Sequence, residues 1–145
     1  MNGNAWRVAR NRNTMQDFRD IAFADHLKPM VLLSINTGIR RGEVFSLRWE
    51  HVNFGLKQIT ITGTNAKSRK TRYIPLNSEA LKTLQDWQSQ QQSNEHFVFT
   101  YYRGKQFTDI KTAWSKLLLD ANIQDFRWHD LRHHFASKLA MNGVD

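Results

Sequence analysis

His129 and Arg132 have the types and the spacing to handle a phosphate. They lie in Arg127-Trp128-His129-Asp130-Leu131-Arg132-His133-His134-Phe135-Ala136-Ser137. Leu131, Phe135 and Leu139 recur every four residues, which predicts an amphipathic helix with one apolar stripe. Helix residues three apart are neighbours, roughly 5–6 Å between Cβ atoms, so the imidazole and the guanidinium share a second face. A helix start favours anions, because its free N–H groups point outward and its macrodipole is positive. A guanidinium also disfavours an imidazolium beside it. The pair therefore does little for stability and suits a phosphate, which arginine grips with two parallel hydrogen bonds. His129 and His133, four apart, could face a zinc ion. Position 130 is Asp, however, Arg132 is cationic and no third ligand stands out, so neither metal nor cofactor is expected.

A second cationic corner precedes it. Thr37-Gly38 breaks an apolar run, and Ile39-Arg40-Arg41-Gly42-Glu43-Val44-Phe45-Ser46-Leu47-Arg48-Trp49 follows. Three readings of Arg40 stand side by side. It belongs to a helix-turn-helix whose second helix reads bases, it is presented from a rigid corner to one phosphate, or it pairs structurally with Glu43 three residues on. Lys67, Arg69, Lys70 and Arg72 sit in a segment that reads as a β-hairpin, and such a cationic hairpin can lie along a nucleic-acid backbone. A charged edge strand protected from aggregation is the alternative.

These residues need elements to position them. With 145 residues, 40% apolar content and five Trp, the chain can build one core and is not disordered. Its net charge of +8 points to a polyanionic partner, nucleic acid before others, over a merely basic soluble protein. Cysteine is absent, which excludes disulfides and thiolate metal sites and suits a reducing compartment. No apolar run reaches the ~20 residues of a membrane span, and the N-terminus lacks a signal-peptide core.

Residues 1–13 read as a basic arm or linker. A helix capped by Thr14 is expected from Met15 to His26, and a buried one from Met30 to Asn36 with Pro29 in its first turn. Gln58-Ile59-Thr60-Ile61-Thr62 alternates as a strand, and Arg72-Tyr73-Ile74-Pro75-Leu76 returns, with Pro75 ending it or lying at an edge. Asn77 or Ser78 caps a helix with Ala80, Leu81, Leu84 and Trp87 inward, and Gln88 to Gln92 is its polar exit. Phe97-Val98-Phe99 is extended, Tyr101 to Lys105 a turn. Thr108 caps a helix through about Ala121, with Ile110, Ala113, Trp114, Leu117 and Leu118 inward. The result is an α+β domain, mainly α-helical, with helices around a small antiparallel sheet.

Three separated pieces resemble one family, the tyrosine recombinases or phage integrases. Thr37 to Val44 with Leu47-Arg48-Trp49 is similar to its first arginine motif, Lys67 in the basic hairpin to its hairpin lysine, and His129 to Ser137 to its histidine-x-x-arginine motif. The resemblance covers most of 14–145 and implies a partial catalytic domain of that fold. It implies site-specific DNA recombination or integration through a 3′-phosphotyrosyl intermediate, without metal. Arg40 and Arg132 would clamp the scissile phosphate, His129 would hydrogen-bond it and assist proton transfer, and Lys67 would protonate the leaving 5′ oxygen, with Arg69 or Lys70 as fallback. Glu43 would buttress the Arg40 corner. A tetramer on DNA is implied for a full-length protein, a monomer for this chain alone, in a bacterial or phage-encoded, cytoplasmic and nucleoid-associated setting.

The family's nucleophilic tyrosine follows the histidine-x-x-arginine helix, after a second His or Trp. Here Tyr73, Tyr101 and Tyr102 all precede that helix, so the expectation is a phosphate clamp without its nucleophile, weak salt-dependent DNA binding and no cleavage. A non-enzymatic helix-turn-helix regulator and a type IB topoisomerase-like relaxing enzyme are the other readings.

Overall fold

The computed structural model describes residues 21–63, 70–91 and 95–143. In chain order its elements are α1 (Leu27–Thr37), α2 (Arg41–Ser46), β1 (Val52–Asn53), β2 (Gln58–Ile61), β3 (Arg72–Pro75), α3 (Ser78–Ser89), α4 (Lys111–Asp120) and α5 (Trp128–Met141), with single 3₁₀ turns at Trp49–His51 and Tyr102–Gly104. The expected α+β class, mainly helical around a small antiparallel sheet, is the one observed. The basic arm 1–13 lies outside the described residues.

Helix α1 is the element the others pack on. Pro29 falls in its first turn, where a missing N–H costs nothing. Met30 and Leu33 are fully buried, and α1 touches both α3 and α5. Full burial of such a side chain contributes roughly 1.5–3 kcal/mol relative to exposure. The expected helix from Met15 to His26 is corrected where it can be read: residues 21–26 are not helical. Their backbone bonds go elsewhere. Phe23 N–H donates to Gln90 Oε1 (3.1 Å) and Gln90 Nε2 donates to Phe23 O (2.7 Å). The Asp25 carboxylate accepts the Leu27 N–H (2.9 Å), satisfying a free donor where α1 begins.

The sheet runs β1-β2-β3, antiparallel, with Ile59 opposite Val52 and Ile74, and Ile61 opposite Arg72. Alternation puts Ile59 and Ile61 in the core and leaves Thr60 outward. Pro75 lies on the edge strand β3, where a missing donor is tolerated. Asn77 caps α3 by accepting the Ala80 N–H (2.8 Å), and its amide donates to Asn36 Oδ1 (3.1 Å), tying the start of α3 to the end of α1. The glutamines after α3 are tertiary ties rather than a solvated exit. Gln91 Oε1 accepts the Trp49 indole N–H (3.0 Å), and its Nε2 donates to Val98 O (2.8 Å). Phe97 bridges Arg48, and the chain then bends through Val98 and Phe99, both fully buried, rather than staying extended.

Helix α4 starts at Lys111, not at Thr108: Asp109 Oδ1 accepts the Lys111 N–H (2.9 Å) and sets that start. Its expected inward stripe is only partly realised. Ile110, just before it, is buried, but no residue within α4 is. Leu117 is exposed, and the helix meets the core through Trp114, which lies edge-on to Trp128 (5.0 Å) and 6.0 Å from Phe126.

Candidate active site

Arg40 stands at a corner that the backbone makes rigid. Helix α1 ends at Gly38, whose φ of 68° is left-handed and whose N–H donates to Ser34 O (2.9 Å). Thr37 Oγ1 donates to Leu33 O (2.6 Å) and accepts the Ile39 N–H (3.3 Å), and the buried Ile39 then anchors the turn. Arg40 is extended (φ −73°, ψ 150°) and heads α2. Its N–H donates to Glu43 Oε1 (3.0 Å), the reach-back half of a capping box.

Glu43 is 4% exposed and is gripped from two sides. Arg72 donates through Nη2 to Oε1 (2.7 Å) and through Nη1 to Oε2. The Arg40 guanidinium lies 3.7 Å from Oε2. Burial pushes the Glu43 carboxyl up, but the hydrogen bonds from Arg72 and from the Arg40 N–H, with both positive charges, outweigh it and hold the group below its ordinary range. Glu43 thus buttresses the corner, as expected, but its tighter partner is Arg72. Arg72 fits neither reading of the hairpin charges, along a nucleic-acid backbone or on a solvated edge: it is turned inward onto Glu43. The signal was present: Arg72 has the parity of Ile74, which β3 buries. The helix-turn-helix reading is not favoured by the shape of α2, which is six residues long with Glu43, Val44 and Phe45 buried.

Helix α5 delivers the second cluster. The Arg127 N–H donates to Asp130 Oδ2 (2.8 Å) at its start, and that bond, assisted by nearby positive charge, lowers the Asp130 carboxyl's pKa. Trp128 and Leu131 are buried, Phe135 and Leu139 half-buried, so the predicted stripe is the packed face. Phe135 packs closely on Gly38: a Cβ there would overlap Phe135 Cδ1. Arg132 Nη1 donates to Gly38 O (2.5 Å). The turn that presents Arg40 is therefore the surface on which Arg132 is seated. Burial, then the charges of Arg40 and Arg72, lower the Arg132 pKa against the opposing effect of Glu43, yet a guanidinium remains charged at any physiological pH.

The two clusters meet in a pocket of about 530 Å³. Arg40 and Arg41 line one side, Arg127, His129 and Arg132 another, and no carboxylate is among its lining residues. Of the four residues singled out by sequence, Arg40, His129 and Arg132 share this pocket. Lys67 and Arg69 lie outside the described residues. Lys70 is exposed at the hairpin's root, where the Gly63 N–H donates to Thr71 Oγ1 (3.2 Å). The His129 ring is exposed and stands 4.6 Å from that of His133, nearly perpendicular. Among the described residues no three His, Cys, Asp or Glu come together to hold a metal ion.

Comparison with known proteins places the family and the fold. The sequence matches the phage integrase family over residues 11–145. The integrase of Salmonella phage P22 is 33% identical over 132 residues, 81% of this chain and 33% of that protein. Tyrosine recombinase XerC of Pediococcus pentosaceus is 28% identical over 135 residues, 84% of this chain and 44% of the relative. The chain thus spans between a third and a half of the length of these two curated relatives. The Tn1549 transposon integrase, solved in complex with a circular intermediate DNA, shares the fold with a TM-score of 0.72 at 19% identity, over 81% of this chain and 46% of the other. With the arginine corner, the histidine-x-x-arginine helix and the small sheet all in place, this chain belongs to the phage integrase family of tyrosine recombinases.

Proposed function

We propose that this chain is the phosphate-clamping part of a site-specific DNA recombinase that cuts and rejoins double-stranded DNA. The observation that carries the reading is the single pocket holding Arg40, His129 and Arg132 between arginine-rich walls with no lining carboxylate. Displacement at a phosphodiester concentrates negative charge on the non-bridging oxygens. Fixed guanidiniums aimed at that charge stabilise the transition state more than the ground state. Arg40 and Arg132 grip those oxygens. His129 donates a hydrogen bond to the phosphate and assists proton transfer. A tyrosine oxygen forms the new bond to phosphorus, the bond to the 5′ oxygen breaks, and the Lys67 ammonium supplies that oxygen's proton. The 5′ hydroxyl of a second strand end reverses the step. Tyr73, Tyr101 and Tyr102 precede α5 and are not that nucleophile. A relative solved on DNA supports the partner, and the complete enzyme acts as a tetramer on nucleoid DNA.

The 145-residue chain tests this directly. On a duplex oligonucleotide it should bind weakly, in the range of roughly 10⁻⁴–10⁻⁶ M at physiological salt. Arg40→Ala and Arg132→Ala should each lower the slope of log K against log salt by about 1. Supercoiled plasmid in EDTA should stay intact. Nicking, or slopes indifferent to both substitutions, would contradict the reading.

A further inference from the structure

The pocket account leaves Arg72 unexplained. It does not line the pocket, yet it makes the tightest ion pair described, two parallel bonds to a carboxylate that is 4% exposed. Among the described residues one further cation lies within ion-pair distance of the Glu43 carboxylate, the Arg40 guanidinium at 3.7 Å. The Arg132 charge is also felt there, but its guanidinium is held by the Gly38 carbonyl. Two carboxylate oxygens can be saturated by one bidentate arginine. With Arg72 so engaged, the Arg40 side chain stays loosely tied and 37% exposed, at the pocket wall. Glu43 meanwhile still holds the Arg40 backbone through its N–H.

We infer that Arg72 is a positioning residue: by occupying Glu43 it keeps the Arg40 guanidinium available to the DNA phosphate. The proposal rests on the phosphate-clamp reading above. Without Arg72, Arg40 is the one ion-pair partner left to the buried carboxylate among the described residues. An unpaired buried carboxylate is costly, so Arg40 turns to it and its charge is lost to the pocket. Arg72 sits at the first position of β3, opposite Ile61. The sheet edge and the Arg40 corner are thus joined through a single ion pair.

Binding of the 145-residue chain to a short duplex, followed by anisotropy across a salt series at about pH 8, well above the ordinary carboxyl range, tests this with four variants. Arg40→Ala sets the loss of one phosphate contact, a slope lower by about 1. Arg72→Gln should match that loss although Arg72 is outside the pocket. Adding Arg40→Ala to Arg72→Gln should lower the slope no further. The double variant Glu43→Gln with Arg72→Gln should recover the parent slope, because no carboxylate remains to sequester Arg40. Recovery separates positioning from direct contact and from loss of fold, since a cation that touched DNA itself would stay missing in the double variant. If Arg72→Gln does not fold, the double variant carries the test alone: the parent slope supports the proposal, and a slope lower by about 1 overturns it. A loss in Arg40→Ala with none in Arg72→Gln overturns this proposal and leaves the clamp standing. No loss in Arg40→Ala overturns both.

Discussion

Glu43 feels two opposing influences, burial and a pair of arginines, and the arginines win. Its carboxyl is held below the ordinary value of 4.5. A group whose folded pKa is depressed contributes stability that is full above its unfolded value and lost as pH falls through the folded one. Urea unfolding between pH 7 and pH 3 should therefore show the native chain losing stability as pH drops below about 4.5. Glu43→Gln should begin less stable and lose less over that window. An equally steep acid limb in that variant would assign the loss elsewhere. Asp130, held down chiefly by the Arg127 N–H, acts in the same direction below its ordinary value of 3.8. At this scale the sequence was informative where the relation is local. His129 and Arg132 share a helix face, and Gly38 announces the corner that presents Arg40. The Glu43–Arg72 pair joins residues 29 apart, and only the strand parity of Arg72 hinted that it turns inward.

The joint between α1 and α5 decides whether the two halves of the clamp meet. Gly38 serves it twice, through a φ of 68° and through the bare face that admits Phe135. Gly38→Ala should cost on the order of 3 kcal/mol, from left-handed strain and from overlap with the Phe135 ring. A thermal melt should show it, with the midpoint falling by roughly 10 °C. An unchanged midpoint would mean that α5 is not seated on this turn. Elements were legible where periodicity and punctuation agreed, as in β2, β3, the Asn77 cap and the Leu131 stripe. Two starts depart from that pattern, one through a distant partner and one through a near neighbour. Phe23 bonds to Gln90, so residues 21–26 are not helical, and Asp109 rather than Thr108 sets the start of α4. The apolar spacing of α4 predicted burial, but the helix contacts the core mainly through Trp114.

Across the whole molecule, a net charge of +8 gives attraction to any nucleic acid, and the pocket gives it one focal point. No helix among the described residues is long and apolar enough to cross a membrane. The order of motifs along the chain was enough to suggest the family, because each motif fixes one cation and the fold must bring them together. Sequence could not say that Arg132 rests on the Gly38 carbonyl, since that contact depends on how α1 and α5 pack. The account stands on Arg40 and Arg132 meeting the same phosphate. An NMR titration of the ¹⁵N-labelled chain with a duplex oligonucleotide observes this through the guanidinium Nε–H signals. The two signals should move together, with one shared midpoint, and the His129 ring signals should follow. If one arginine responds while the other stays still, or their midpoints separate, the single-phosphate clamp is wrong.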